Sequence, residues 1–454
     1  MPRFFLYWFI AISILSGCAS NSKSKLKVHH INSLASPSNN DGSFKGLEYL
    51  ADPVPGKLKN RVNIMYMHGI GWTEDRNNGQ LAADFLSGIA KAYDLDASDG
   101  IITTLCGEAP YDPTASQTPH IYVKADQERF FETALRGSKL KLDDLVCMDK
   151  QTLAIDDNLE FVVYRVFWDN IFWDNLQFAH VGQDDNRGSS EDIAGLRRKY
   201  NRVLKDDLIN YGISDAVMYL GPAGEEIRNA IRGAMCSAAL DASGISFHEQ
   251  GSSVKHTDIC FQARQTNIRI NQFAYVTESL GSKIILDVMQ DSLSDGRETV
   301  HDEMILGSET YMLANQVPLL SLSNLSVRES QAIDKISYED RPKIVAMSEL
   351  NDFLSYELVP FYEQLWKRSL RPNNQYALTE PVREEMIETI GFEMIDMRLE
   401  FANKIVPLVK GFVDPLHAHK GHAGEPELML YMLCGAENAQ LNGKECLATE
   451  LQDK

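Results

Sequence analysis

From Arg61 onward, short apolar runs that end in turn-forming polar residues alternate with longer stretches whose apolar residues recur at helical spacing. The runs VNIMYM (62–67), FVVYRVFW (161–168), FAYVT (273–277), VPLLSL (317–322), KIVAMS (343–348) and MIDMRLEF (394–401) are the candidate strands. Between them, GQLAADFLSGIAKAYDL (79–95), LGSKIILDVMQDSL (280–293) and EPELMLYMLCG (425–435) predict helices. Strands alternating with helices imply an α/β fold with a mostly parallel, doubly wound sheet and helices on both faces. No internal repeat is present.

Two segments exceed a minimal alternation. Residues 72–160 and 170–265 contain loop-like text such as CGEAPYDPTASQTPH and VGQDDNRGSSED, and the second also holds helix-like LRRKYNRVLKDDLINYG and GEEIRNAIRGAMCSAAL. Connections this long are not expected to be bare loops, and they predict insertions forming a cap over one end of the sheet. Residues 18–60 are rich in Ser, Asn, Lys and Pro with no sustained apolar period, which predicts a flexible tether before a folded body at 61–454. His29 and His30 in this stretch could in principle bind a metal, but an exposed pair in a linker is expected to be inert.

Composition agrees with a folded body: 44% hydrophobic and 24% charged over 454 residues. A formal charge of −20 with scattered basic residues argues against nucleic acid as a partner, since phosphate binding needs clustered Lys and Arg. The first residues, MPRFFLYWFIAISILSGCAS, combine a basic n-region at Arg3, an apolar h-region and small residues, the pattern of an export signal too short to span a bilayer. Leu15-Ser16-Gly17-Cys18 resembles the lipobox of bacterial lipoproteins. That resemblance implies a signal at 1–17, a mature chain starting at an acylated Cys18, and a membrane as partner. Ala19, where an Asp would favour inner-membrane retention, implies the outer membrane. An ordinary secretory signal with an incidental cysteine is the alternative.

The remaining cysteines, 106, 147, 236, 260, 434 and 446, form an even set suited to an oxidising compartment. Nearest-neighbour pairing (106–147, 236–260, 434–446) is the simplest expectation, and six buried free thiols the alternative. No pair has the C-x-x-C spacing of a redox or zinc site.

In an open α/β sheet, ligands bind at the carboxyl ends of the strands. Four segments stand there. HGIGW (68–72) follows the first candidate strand, and its glycines would let backbone amides approach a ligand. VTESLGSK (276–283) puts Ser279 on a strand-to-helix turn, either as a nucleophile or as a helix cap. ELNDFLSY (349–356) places Asp352 just past a strand, as an acid or a turn former. FVDPLHAHKGHAGEP (412–426) holds His417, His419 and His422 in an expected loop; a zinc or copper site is an alternative use of these histidines.

The order glycine turn, Ser, Asp, His, each after a separate strand, is the chain order of one class of catalytic triad. On HGIG (68–71), TESLG (277–281), NDFLSY (351–356) and AHKGH (418–422), the chain resembles the α/β-hydrolase superfamily, among its lipase and esterase-like members. It departs from the usual elbow in having Thr277 where a glycine is common. The resemblance singles out His419 among the three histidines. It implies Ser279 as nucleophile, His419 as general base and Asp352 as its orienting acid, with Glu349 second choice for the acid. The oxyanion would be held by the Leu280 amide and one from Gly69, Ile70 or Gly71, Ile70 being the first choice; losing one such donor typically costs about 3 kcal/mol. No cofactor is implied. The expected activity is cleavage of a carboxylic ester at a membrane, with a lipid or acyl ester as one candidate; a non-catalytic envelope lipoprotein that uses the fold for binding or assembly is the competing expectation.

Overall fold

The computed structural model describes residues 26–35, 44–54, 59–69, 79–95, 120–124, 130–132, 139–141, 144–168, 213–221, 223–245, 253–255, 259–261, 263, 273–295, 300–323, 341–370, 379–402, 413, 415–436 and 446. Its strands are β1 (Lys27–Leu34), β2 (Asp52–Pro53), β3 (Asn60–Met67), β4 (His120–Lys124), β5 (Phe130–Glu132), β6 (Lys139–Lys141), β7 (Asp144–Ala154), β8 (Leu159–Phe167), β9 (Ser253–Lys255), β10 (Phe273–Glu278), β11 (Glu309–Leu313), β12 (Lys343–Glu349) and β13 (Glu393–Glu400). Its α-helices are α1 (Gly79–Ala92), α2 (Ser214–Leu220), α3 (Ala223–Ala242), α4 (Leu280–Asp295), α5 (Val300–Ile305), α6 (Val317–Leu320), α7 (Val359–Leu370), α8 (Glu380–Ile390), α9 (Pro415–Lys420) and α10 (Pro426–Cys434).

One sheet runs in the order β1-β13-β12-β11-β10-β3-β8-β7-β4-β9, with β2 beside β3; β5 and β6 pair separately. The six strands from β13 to β8 are parallel to their neighbours. At the flanks β1 pairs antiparallel with β13, and β7 with both β8 and β4. The fold is therefore α/β around a mixed, mostly parallel sheet. Every residue of β8, β10 and β11 is buried, because helices cover both faces. Side chains alternate between two cores: Phe273 and Tyr275 face α3, α4, α5, α7 and α8, while Ala274 and Val276 face α1 and α10. On α1, Phe85, Leu86 and Ile89 are almost fully buried, each contributing roughly 1.5–3 kcal/mol of burial.

Five of the six candidate strands and all three candidate helices lie where the apolar pattern predicts them. VPLLSL does not: residues 317–320 form α6, with Pro318 in its first turn, where a missing N–H costs nothing. The strand there is β11, ETYML, whose buried Glu309 and Thr310 make it look polar. Glu309 is accommodated because its carboxylate accepts bonds from Tyr311 Oη (2.8 Å) and Lys45 N (2.8 Å).

A tether running to residue 60 is corrected. Residues 27–34 form an edge strand on β13, and Phe44, Leu47 and Leu50 are buried in the core that α1 and α10 share. Nor is His29 idle, since it bonds Glu400 at 2.8 Å. The segment 72–160 supplies α1 and the sheet strands β4 and β7, and from 170–265 the long helix α3 packs on β7, β4 and α4. What is described of the two expected cap insertions thus extends the sheet and contributes a helix to each of its faces, α1 to one and α3 to the other.

Disulfides join Cys236 to Cys260 and Cys434 to Cys446, as nearest-neighbour pairing expects. They close loops of 24 and 12 residues, worth about 3 kcal/mol each in the chain-entropy account. Cys147 is also disulfide-bonded, while Cys106 and Cys18 lie outside the described residues. Among the described residues no helix is long and apolar enough to cross a membrane.

Candidate active site

The turn after β10 is a backbone feature before it is a chemical one. Ser279 has φ +51°, left-handed territory that costs a non-glycine residue about 1–2 kcal/mol. Its N–H donates to Leu313 O at 2.9 Å and its C=O accepts from Ser282 N at 3.1 Å, so strand β11 and helix α4 hold the turn from either side. Two glycines let the neighbouring chain come close. A Cβ on Gly281 would lie 2.6 Å from His68 O and 2.7 Å from Met67 O; one on Gly69 would lie 2.6 Å from the Ser279 Cβ. Because the atoms facing Gly281 are backbone, Gly281→Ala is expected to destabilise the fold by about 1–3 kcal/mol, read as a lowered midpoint in urea. An unchanged midpoint would show the elbow to be looser than described.

Thr277, where a glycine is common in such turns, sits inside β10 rather than on the bend. Its Oγ1 pairs with Ser282 Oγ at 3.1 Å and reaches Tyr311 O at 3.4 Å. The β-branched side chain suits the strand, and its hydroxyl is satisfied locally.

His68 directly follows β3 and is buried; its Nδ1–H donates to Gly69 O at 2.7 Å. Its ring stacks on Trp168 with centroids 5.6 Å apart and 15° between planes, while Trp168 Nε1 donates to His68 O at 3.0 Å. Trp168, the first residue after β8, therefore fixes the same carbonyl that presses on Gly281. Of the expected oxyanion donors, Leu280 opens α4 and is buried, and a first-turn amide has no carbonyl one turn back. Gly69 faces Ser279; Ile70 and Gly71 lie outside the described residues.

Ser279, His419 and Asp352 come together. His419 Nε2 lies 3.0 Å from Ser279 Oγ, and His419 Nδ1 lies 2.8 Å from Asp352 Oδ2. All three residues are buried. The carboxylate can only accept from Nδ1–H, which leaves Nε2 as the acceptor for the serine O–H. Asp352 uses its other oxygen, Oδ1, to accept from Leu354 N at 2.9 Å, and its N–H donates to Glu349 O at 3.1 Å, so the loop after β12 is shaped around it. Glu349 does not bond His419. Its buried carboxylate receives Asn351 N, Asn351 Nδ2 (3.0 Å) and Ala402 N (3.4 Å), and so braces this loop.

The three histidines are not in a loop: His417 and His419 are on α9, and His422 opens a 3-10 turn. His422 Nδ1–H donates to His419 O at 3.2 Å, and its ring meets Phe401 edge-on at 4.9 Å. Burial pushes the imidazole down to about 4, so it is neutral near pH 7 and supports the backbone of His419 instead of competing for a proton. Among the described residues no group of three or more His, Cys, Asp and Glu is arranged to hold a metal ion.

Glu278, directly before Ser279, escapes a motif-based reading. Burial pushes its carboxyl up to about 7, against the opposing pull of Tyr66 on β3 and of the His419 and His68 imidazoles; Asp84 on α1 adds to the rise. The folded state thus keeps this proton to about pH 7, while the unfolded chain releases it near the ordinary 4.5. The stability it contributes is complete below the unfolded value and is lost as pH rises through the folded one. Glu278→Gln removes that titration, so the melting temperature of the variant minus that of the parent is expected to grow between pH 4.5 and pH 8. A flat difference would contradict the assignment.

Comparisons with protein-family models, with curated proteins and with solved structures return no match.

Proposed function

We propose that the protein is a serine hydrolase of the α/β-hydrolase type. The observation that carries this is the pair of contacts made by His419, 3.0 Å to Ser279 Oγ and 2.8 Å to Asp352 Oδ2, built on a left-handed serine between strand and helix. A serine that merely capped α4 would need neither the strained turn nor an oriented imidazole. Ser279 and Asp352 stand just after β10 and β12, and His419 on α9, the next helix described after β13, in the chain order Ser, Asp, His.

Within that class, the reading is an envelope lipoprotein, anchored through an acylated Cys18 in the outer membrane, that cleaves carboxylic esters. Ser279 Oγ attacks the acyl carbonyl while His419 Nε2 takes its proton. Asp352 holds the imidazole in the right tautomer and stabilises the imidazolium. The tetrahedral oxyanion is held by the Leu280 amide and one from the 69–71 turn. His419 then returns the proton to the departing alcohol, leaving an acyl-serine that water hydrolyses by the same steps.

A fluorophosphonate probe is expected to label Ser279 alone, with the site read by peptide mass and the label absent from Ser279→Ala. Labelling elsewhere, or none, would sink the triad and favour a non-catalytic binding protein.

A further inference from the structure

The antiparallel docking of β1 decides where a lipid anchor leaves the fold. β13 runs toward the site, and β1 returns alongside it with Lys27 opposite Glu400. The chain therefore enters the folded body at the end of the sheet that carries Ser279, Asp352 and His419. Lys27 also lies close to the acid loop, because Leu350 N donates to Leu399 O at 2.8 Å, one residue from Lys27's partner. Eight residues lie between Cys18 and Lys27, and the nine Cα–Cα steps from one to the other span no more than about 32 Å in any backbone conformation.

The same end of the sheet exposes apolar side chains. On the acid loop Leu350, Phe353 and Tyr356 are 42%, 61% and 40% exposed. Leu322 is 63% exposed; it follows α6, whose Pro318 lines one cleft of about 420 Å³ with Leu350, Tyr356 and Asp352. Asn315 clamps the two segments together, its O accepting from Tyr356 N (3.0 Å) and its Nδ2 donating to Tyr356 O (2.9 Å). Single exposed apolar residues are ordinary, but four on the two segments that follow β11 and β12, at one end of the sheet, give that end an apolar character that water solvates poorly.

We infer that these apolar side chains lie against the lipid surface that carries the anchor, so that the active-site end of the sheet faces the bilayer and takes its ester from there. The inference rests on the acylated Cys18 of the proposed function and adds the orientation of the body. With a formal charge of −20, attraction to anionic headgroups is not what would hold the face down; apolar insertion by Leu322, Leu350 and Phe353 is.

The test uses the full chain, extracted from membranes and reconstituted in phosphatidylcholine vesicles with or without dibrominated acyl chains. One variant carries Phe353→Trp. A control carries Asp157→Trp, in the exposed turn between β7 and β8 at the opposite end of the parallel strands. The emission of the added tryptophan, taken as the difference from the parent, is expected to fall by about half at 353 in brominated vesicles and to be unchanged at 157. Equal quenching at the two positions, or none at either, overturns the orientation whatever the enzyme does. An N-terminal peptide mass showing Cys18 unacylated in the same preparation overturns the anchor and the orientation together. Quenching confined to 353 without any ester turnover supports the orientation and sinks the hydrolase reading, so the two fail separately.

Discussion

Ser279→Ala is expected to lower kcat/KM for an activated ester by roughly 10⁴-fold or more, and His419→Ala by a similar factor. The double variant should be no worse than either single one. The reason is geometric: in the proposed mechanism the serine becomes a nucleophile through the 3.0 Å contact to Nε2, and the imidazole would have no task once Oγ is gone. Asp352→Ala should cost less, since it disturbs tautomer and aim while leaving nucleophile and base in place. Steady-state rates on a p-nitrophenyl ester, with melting curves to show that each variant is folded, check this. Multiplying losses in the double variant would mean that Ser279 and His419 act separately.

The second large effect lies away from the chemistry. Arg165 on β8 and Asp149 on β7 are register partners, and their side chains are 1% and 2% exposed. They form a two-pronged pair, Nε to Oδ1 and Nη2 to Oδ2, both at 2.6 Å. Asp149→Ala would leave a guanidinium buried without its carboxylate, a loss expected to be about 3–5 kcal/mol of folding stability. Urea unfolding should show a lower midpoint, with kcat near normal in the fraction still folded. Replacing both, with Asp149→Leu and Arg165→Met, is expected to recover most of that stability, because the desolvation cost of the ions disappears along with their attraction. If the single variant is as stable as the parent, the pair is weaker than its geometry implies.

The central strands were legible because burial on both faces demands continuous apolar runs, and five of the candidates have them. The chain order of Ser279, Asp352 and His419 was legible for a related reason: groups that follow strands of one parallel block meet at one end of it. β11 was hidden, because Glu309 and Thr310 make the run look polar while Tyr311 and the Lys45 amide satisfy the carboxylate in three dimensions. β1 was hidden because an edge strand with an exposed face needs little apolar text; KVHHINSL spends its polar positions on pairs such as His29 with Glu400. The supports of the site were also missed. Trp168, His422 and Glu278 act through stacking, a carbonyl and burial, none of which has a spelling, although Trp168 did close a candidate strand and His422 did stand among the three candidate histidines.

The contacts of the triad join residues 140 and 67 positions apart in sequence. Local structure alone cannot make them: β10, β12, β13 and α9 must all be docked before the imidazole can touch the serine, and closing such distant contacts comes late in the assembly of a sheet of this kind. If the proposed hydrolase reading holds, catalytic competence is a report of completed folding. On that reading a partly folded chain is expected to be silent toward esters, and the onset of turnover during refolding to time the docking of β10, β12, β13 and α9 against one another.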